Sequence, residues 1–209
     1  MAETATQTPI FEFTGNWLCL DFINTVEDRP TAHPRELLNS YQDLVTWAQQ
    51  AHIITDDEAH QLLTEAAHNS KDASAVLQRA IAFREATHDI FFAIAENSSP
   101  SEAKLAIFNT ELAATMSRAC IVPKANEFVW DWTGKENSLE RILWMVVKSA
   151  ADLLISEELR DVRVCSAPDC QRLFLDTSKN HSRRWCDMKG CGNRAKVRRH
   201  YERKKQSPT

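Results

Sequence analysis

CSAPDC (residues 165–170) and CDMKGC (residues 186–191) decide how this chain is read. They set four of its six cysteines as two pairs, Cys165-x4-Cys170 and Cys186-x4-Cys191, with fifteen residues between the pairs. Each pair is short enough for both thiolates to reach one ion, and two pairs complete a tetrahedron. The spacing predicts one structural zinc held by Cys165, Cys170, Cys186 and Cys191. Four protein ligands leave no open position for an activated water, so such a site shapes the chain rather than catalyses. An iron–sulfur cluster also accepts four thiolates, and His181 is a candidate substitute ligand. Two short knuckles favour zinc with the all-cysteine set. A segment of about 45 residues buries too little apolar surface to fold unaided. Leu173, Phe174, Leu175 and Trp185 are its main apolar stock, and bound zinc supplies folding energy on the order of 10 kcal/mol.

Outward from the knuckles the chain is strongly basic. Residues 161–209 carry 13 Lys and Arg against 5 Asp and Glu, whereas residues 1–160 carry 12 against 24. The overall net charge of −4 hides this split. A cationic module built on metal points to nucleic acid, because displaced counterions drive binding to a polyanion. Arg172, Lys179, Arg183, Arg184, Lys196, Arg198, Arg199, Arg203 and Lys204 are the candidate contacts. Residues from Asn193 to about Lys205 read as a helix, with Arg194, Val197 and Tyr201 along one seam. Helices anchored by zinc enter the major groove of DNA. RNA is an alternative, since Trp185 or Tyr201 would stack on unpaired bases. An adaptor gripping an acidic protein surface is another.

The acidic part reads as mainly helical, and scarce glycine argues against an all-β fold. Thr55 and Glu58 form a capping box that opens a helix to about His68. Ser40 opens another helix, to about Ala51, and Ser99-Pro100-Ser101-Glu102 starts a third. From Asp72 onward, Val76, Ala80, Phe83, Thr87, Ile90 and Ile94 mark one stripe of a long helix. Trp17 to Thr25 is apolar nearly all round, as in a short buried helix. Phe11 to Phe13 suggests a strand. Apolar runs flanking Pro123-Lys124-Ala125-Asn126, within Ala119 to Trp132, predict a hairpin. Asn137 reads as the cap of a helix with Leu139, Ile142, Leu143, Val146, Ala150, Leu153 and Leu154 on its core side. The expected fold is therefore mainly α: a helical domain with a small hairpin over 1–160, then a four-Cys zinc finger with a basic helix over 161–209.

Cys191-Gly192-Asn193-Arg194 spells the signature of the CGNR zinc-finger family, and the string from Cys165 to Lys205 resembles that family throughout. Asp176, the Arg183-Arg184-Trp185 triplet and all four cysteines take part in the likeness. Leu20 to Thr25, LDFINT, resembles the LDFVNT element of the ABATE domain that precedes this finger. That domain carries the description of a stress-induced transcription regulator. The resemblance implies a bacterial DNA-binding regulator with a helical regulatory domain.

The signature also has a physical reading. Gly192 lets backbone amides turn toward the sulfurs. Asn193 suits the N-cap of the following helix, and Arg194 then lies close enough to the thiolates to support them. Asp21 and Asn24 share one face of an apolar helix. They either pin neighbouring helices or line a pocket for a small-molecule effector. No phosphate loop, nucleophile elbow or paired-carboxylate arrangement calls for an enzyme. The polar start lacks a signal sequence, and no stretch is long and apolar enough to span a bilayer. The expected setting is a reducing cytoplasm, with DNA as first partner and a homo-oligomer allowed.

Overall fold

LCLDFI becomes a short helix because nearly every side chain in it is needed inside. In the computed structural model, which describes residues 10–134 and 138–206, Leu18–Ile23 is α1, with Cys19, Leu20, Phe22 and Ile23 buried. Two residues later Val26–Glu27 (β1) pairs antiparallel with Arg35–Glu36 (β2). The expected capping box at Thr55 is present, and Ser40 forms a second one, each with side chain and backbone bonding reciprocally. Ser40 and Asp43 open α2 (Tyr41–Gln50), and Thr55 and Glu58 open α3 (Asp56–His68). The long helix α4 runs Ser70–Ala95 and buries Val76, Ala80, Phe83, Thr87 and Ile90 of the expected stripe. Its start is two residues earlier than Asp72, directly after α3.

Helix α5 (Glu102–Met116) leads into the predicted hairpin, β3 (Ala119–Lys124) and β4 (Glu127–Trp132). The strands take in Pro123 and Lys124, which tightens the turn to Ala125 and Asn126, with Ala125 at φ 53°. Phe11 to Phe13 forms no strand; Phe11 is buried, and its N–H donates to Gln50 Oε1 at 3.0 Å. Helix α6 (Arg141–Leu154) buries Ile142, Leu143, Val146, Ala150 and Leu153 as its spacing predicts. Its expected cap, Asn137, lies outside the described residues; Glu140 is the residue before its first turn. Of the isolated cysteines, Cys19 is fully buried and Cys120 half-buried.

A 3-10 turn over Glu157–Asp161 leads to β5 (Val162–Val164), antiparallel to β6 (Leu173–Leu175). Then come a π-helical turn, Met188–Gly192, and the basic helix α7 (Asn193–Gln206). Val162, Leu173 and Leu175 belong to the same hydrophobic core as α1, α4 and α6. Phe174, on the opposite face of β6, joins the four metal-site cysteines and Ala167 in a second, smaller core. Alternate residues of one short strand thus serve two cores, which is the period-two geometry of a strand at work. That strand anchors the finger on the helical part.

Candidate metal centre and basic face

The hairpin β5–β6 positions the first knuckle. Cys165 N–H donates to Arg172 O at 2.9 Å and Cys170 N–H to Ala167 O at 3.1 Å, closing the loop between the strands. Ser166 N–H donates to Arg184 O at 2.8 Å, which draws in the second knuckle. The result is a cluster in which the Sγ atoms of Cys165, Cys170, Cys186 and Cys191 all lie within 4.8 Å of one another, all four residues buried. Cys170 and Cys186 Sγ are 3.6 Å apart, and Cys186 and Cys191 Sγ 3.7 Å apart. A tetrahedron with Zn–S of about 2.3 Å has edges of about 3.8 Å, so the spacing fits zinc. Among the described residues this is the group suited to a metal, and His181 stands apart from it, 3.0 Å from Asp161. The centre holds one zinc ion.

The electrostatics of the pocket ask for a cation. Hydrogen bonds from Cys170 and then Cys186 pull the Cys165 thiol down, while Cys170 is pushed up by its bond to Cys165, and Cys191 by burial and then by the Cys165 charge. A divalent ion removes that conflict and lets all four ionise. Around the sulfurs, Cys186 N–H donates to Cys165 Sγ at 3.4 Å and Arg194 Nη2 to Cys191 Sγ at 3.2 Å. Arg194 also reaches Asp169 at 3.6 Å. Arg194 thus lies beside the cysteine sulfurs.

Asn193 has a different place from the expected one. The π-helical turn runs straight into α7, so Asn193 is already helical, at φ −68°. Its Nδ2 donates to Lys189 O at 2.9 Å instead of its oxygen capping the helix. The cap is Asp187, whose carboxylate accepts the Gly190 N–H. Gly192 N–H donates to Asp187 O at 2.9 Å rather than to sulfur. A Cβ at Gly192 would meet the end of the Met188 side chain, with Sδ at 3.3 Å.

The basic candidates divide into two groups. Arg172 faces inward, 8% exposed, and pairs with Glu12 and with Glu27, the latter at 2.7 Å. Arg183 is half-buried, with its guanidinium 4.5 Å from the centre of the Phe174 ring. It donates to Trp185 O at 2.8 Å, to Cys186 O and to Thr14 O. These two arginines are fastened to the fold, Arg172 by its ion pairs to Glu12 and half-buried Glu27 and Arg183 by backbone carbonyls and the Phe174 ring. Lys179, Arg184, Lys196, Arg198, Arg199 and Lys204 are exposed. The side chain of Arg203 lies outside the described residues.

Asp21 and Asn24 both serve the joint between the two parts. Asn24, 4% exposed, donates to Leu173 O at 2.8 Å and accepts Leu173 N–H at 3.0 Å. Asp21 accepts Gly15 N–H at 2.7 Å, and Gly15 O accepts Leu175 N–H at 2.8 Å. Burial raises the Asp21 carboxyl to about 6, against the bonds from Gly15 and the nearby Arg172 charge. Two further groups have roles that the sequence reading does not assign: Asp176 enters it only through its part in the likeness, and Arg84 not at all. Asp176 accepts Ser178 N–H at 3.0 Å and Arg183 N–H at 2.9 Å, which orders the loop between the knuckles. Arg84, 2% exposed, grips Glu36 through two bonds at 2.7 and 2.6 Å and holds β2 to α4. An Asp after a strand is a turn signal; nothing in the spacing marks Arg84 as buried.

Two family models match this arrangement. The ABATE model, described as "Putative stress-induced transcription regulator", matches residues 16–157. The chain belongs to the ABATE family. The CGNR zinc-finger model matches residues 162–204 and takes in all four cysteines. Together they make this a zinc-finger protein of a regulatory family whose models describe no enzymatic activity. No curated protein matches the chain. Among the described residues no helix is long and apolar enough to cross a membrane.

Proposed function

We propose that this protein is a DNA-binding transcriptional regulator of the cytoplasm, in which the zinc-built finger grips nucleic acid and the ABATE region regulates it. One observation carries the reading: Lys179, Arg184, Lys196, Arg198, Arg199 and Lys204 are all exposed, and among the described residues none of them makes an ion pair. Unpaired cations concentrated on α7 and its neighbouring loop are costly to hold together unless a polyanion neutralises them. Arg172 and Arg183 contribute by holding the finger's shape, and Arg194 by steadying the cluster. The proposed contact surface is the exposed basic side of α7 together with Lys179 and Arg184 of the preceding loop.

Fluorescence anisotropy of the zinc-loaded full chain with a labelled duplex tests the proposal. Affinity should fall steeply as salt rises, because several phosphates exchange their counterions for side chains. A flat salt response points instead to an acidic protein surface as partner.

A further inference from the structure

We propose that the cleft between the first knuckle and α7 is a binding slot for a single unstacked nucleotide. The inference deepens the nucleic-acid reading above and rests on it. The slot has a volume of ≈ 160 Å³ and is open to solvent. Its composition is specific. Ala167, Pro168 and Ala195 make an apolar floor without bulky side chains. Trp185 forms a wall, half-buried against the zinc core, with the Arg184 guanidinium 5.5 Å from its ring centre. Arg198 and Arg199, one turn beyond Arg194 and Ala195, bring donors to the rim. Asp169 and Glu202 bring acceptors.

Each element suits part of a nucleotide. An apolar floor beside an indole accepts a heteroaromatic ring, which stacks with little regard to base identity. Carboxylates at the rim accept the exocyclic amines of a base edge, as glutamate and aspartate do for cytosine. Three arginines hold phosphate, for which their forked geometry is suited. An acidic peptide would use the arginines but brings no flat ring to the apolar residues beside the indole. A stacked duplex base cannot enter so narrow a slot, so the nucleotide must be unpaired, or free in solution.

The test uses full-length, zinc-loaded protein and three probes: a blunt DNA duplex, the same duplex with one unpaired nucleotide, and a nucleoside monophosphate as competitor. The unpaired nucleotide should raise affinity roughly tenfold, the scale of one base stacked on an aromatic side chain. Ala195→Leu fills the slot without removing a contact, and should abolish that preference while zinc content and circular dichroism stay as in the parent. It complements Trp185→Ala, whose indole packs on the metal core and whose loss can unfold the finger. Competition by the monophosphate, lost in Ala195→Leu, assigns the slot to a free nucleotide. Equal affinity for the two duplexes, with no competition, overturns the slot and leaves the nucleic-acid reading standing. Failure to bind either duplex overturns both.

Discussion

Asn24 shows what a single side chain carries here. Its amide matches both backbone groups of Leu173, a fully buried residue 149 positions away in sequence. Asn24→Ala leaves a buried N–H and a buried C=O without partners, at a cost of about 2–4 kcal/mol. Urea unfolding should show the loss, and an unchanged midpoint would refute the clamp. Asp21 gives a pH prediction of definite sign. Its carboxyl is raised from 3.8 to about 6 in the fold, so the folded state binds the proton more tightly than the unfolded chain. This group therefore penalises the fold above about pH 6, and the penalty fades as pH falls toward 4. Asp21→Asn should be more stable than the parent at pH 8, by on the order of 2 kcal/mol, and equal to it near pH 4. Thermal melts across that range check it. At this scale the sequence shows which residues are chemically able, not which way they face. The four cysteines were legible because spacing alone brings them together. Arg172 and Arg183 carry the same charge as Arg198, but Glu12 and Glu27 turn the first inward, and Phe174, Cys186 O and Thr14 O the second.

The elements were legible where local chemistry decides them. Capping boxes mark α2 and α3, the apolar stripe marks α4, and alternating residues around a turn mark β3 and β4. Asn193 misled because a cap residue was expected at a helix start, and the π-helical turn carries that start back to Asp187. Local propensity does not encode such a turn. Helix α7 also separates two roles that charge alone confuses. Lys196→Ala and Arg198→Ala remove cations that are exposed and make no ion pair among the described residues. Each should lower the slope of log affinity against log salt by about 1 and leave stability unchanged. Arg183→Ala removes a guanidinium that bridges Phe174, Trp185 O and Cys186 O, and should lower stability instead. Anisotropy titrations at several salt concentrations, paired with melts of the same three variants, separate the roles. Equal behaviour of all three would show that the division into fastened and free arginines is wrong.

At the scale of the whole molecule, composition and packing divide the chain differently. Charge changes sign near residue 160, and the two family matches meet there. The core does not stop at that point: Val162, Leu173 and Leu175 pack with α1, α4 and α6, and Arg172 pairs with Glu12 and Glu27. Strand periodicity hints at this, since Leu173 and Leu175 share a face that Phe174 does not. Only the fold shows that the shared face belongs to the helical part. The arrangement predicts a graded response to metal removal. Zinc contributes on the order of 10 kcal/mol to a site like this. Without it, the second knuckle and α7 keep few buried apolar side chains to oppose their conformational entropy. Strands β5 and β6 retain their place in the larger core. Hydrogen exchange read by mass spectrometry, before and after chelation under reducing conditions, should therefore show residues 186–206 losing protection. The amides of Leu173 and Leu175, held by Asn24 Oδ1 and Gly15 O, should stay protected. Collapse of protection in β6 as well would mean that zinc holds the joint itself. Unchanged protection in α7 would mean that the cysteine cluster does not hold the finger together.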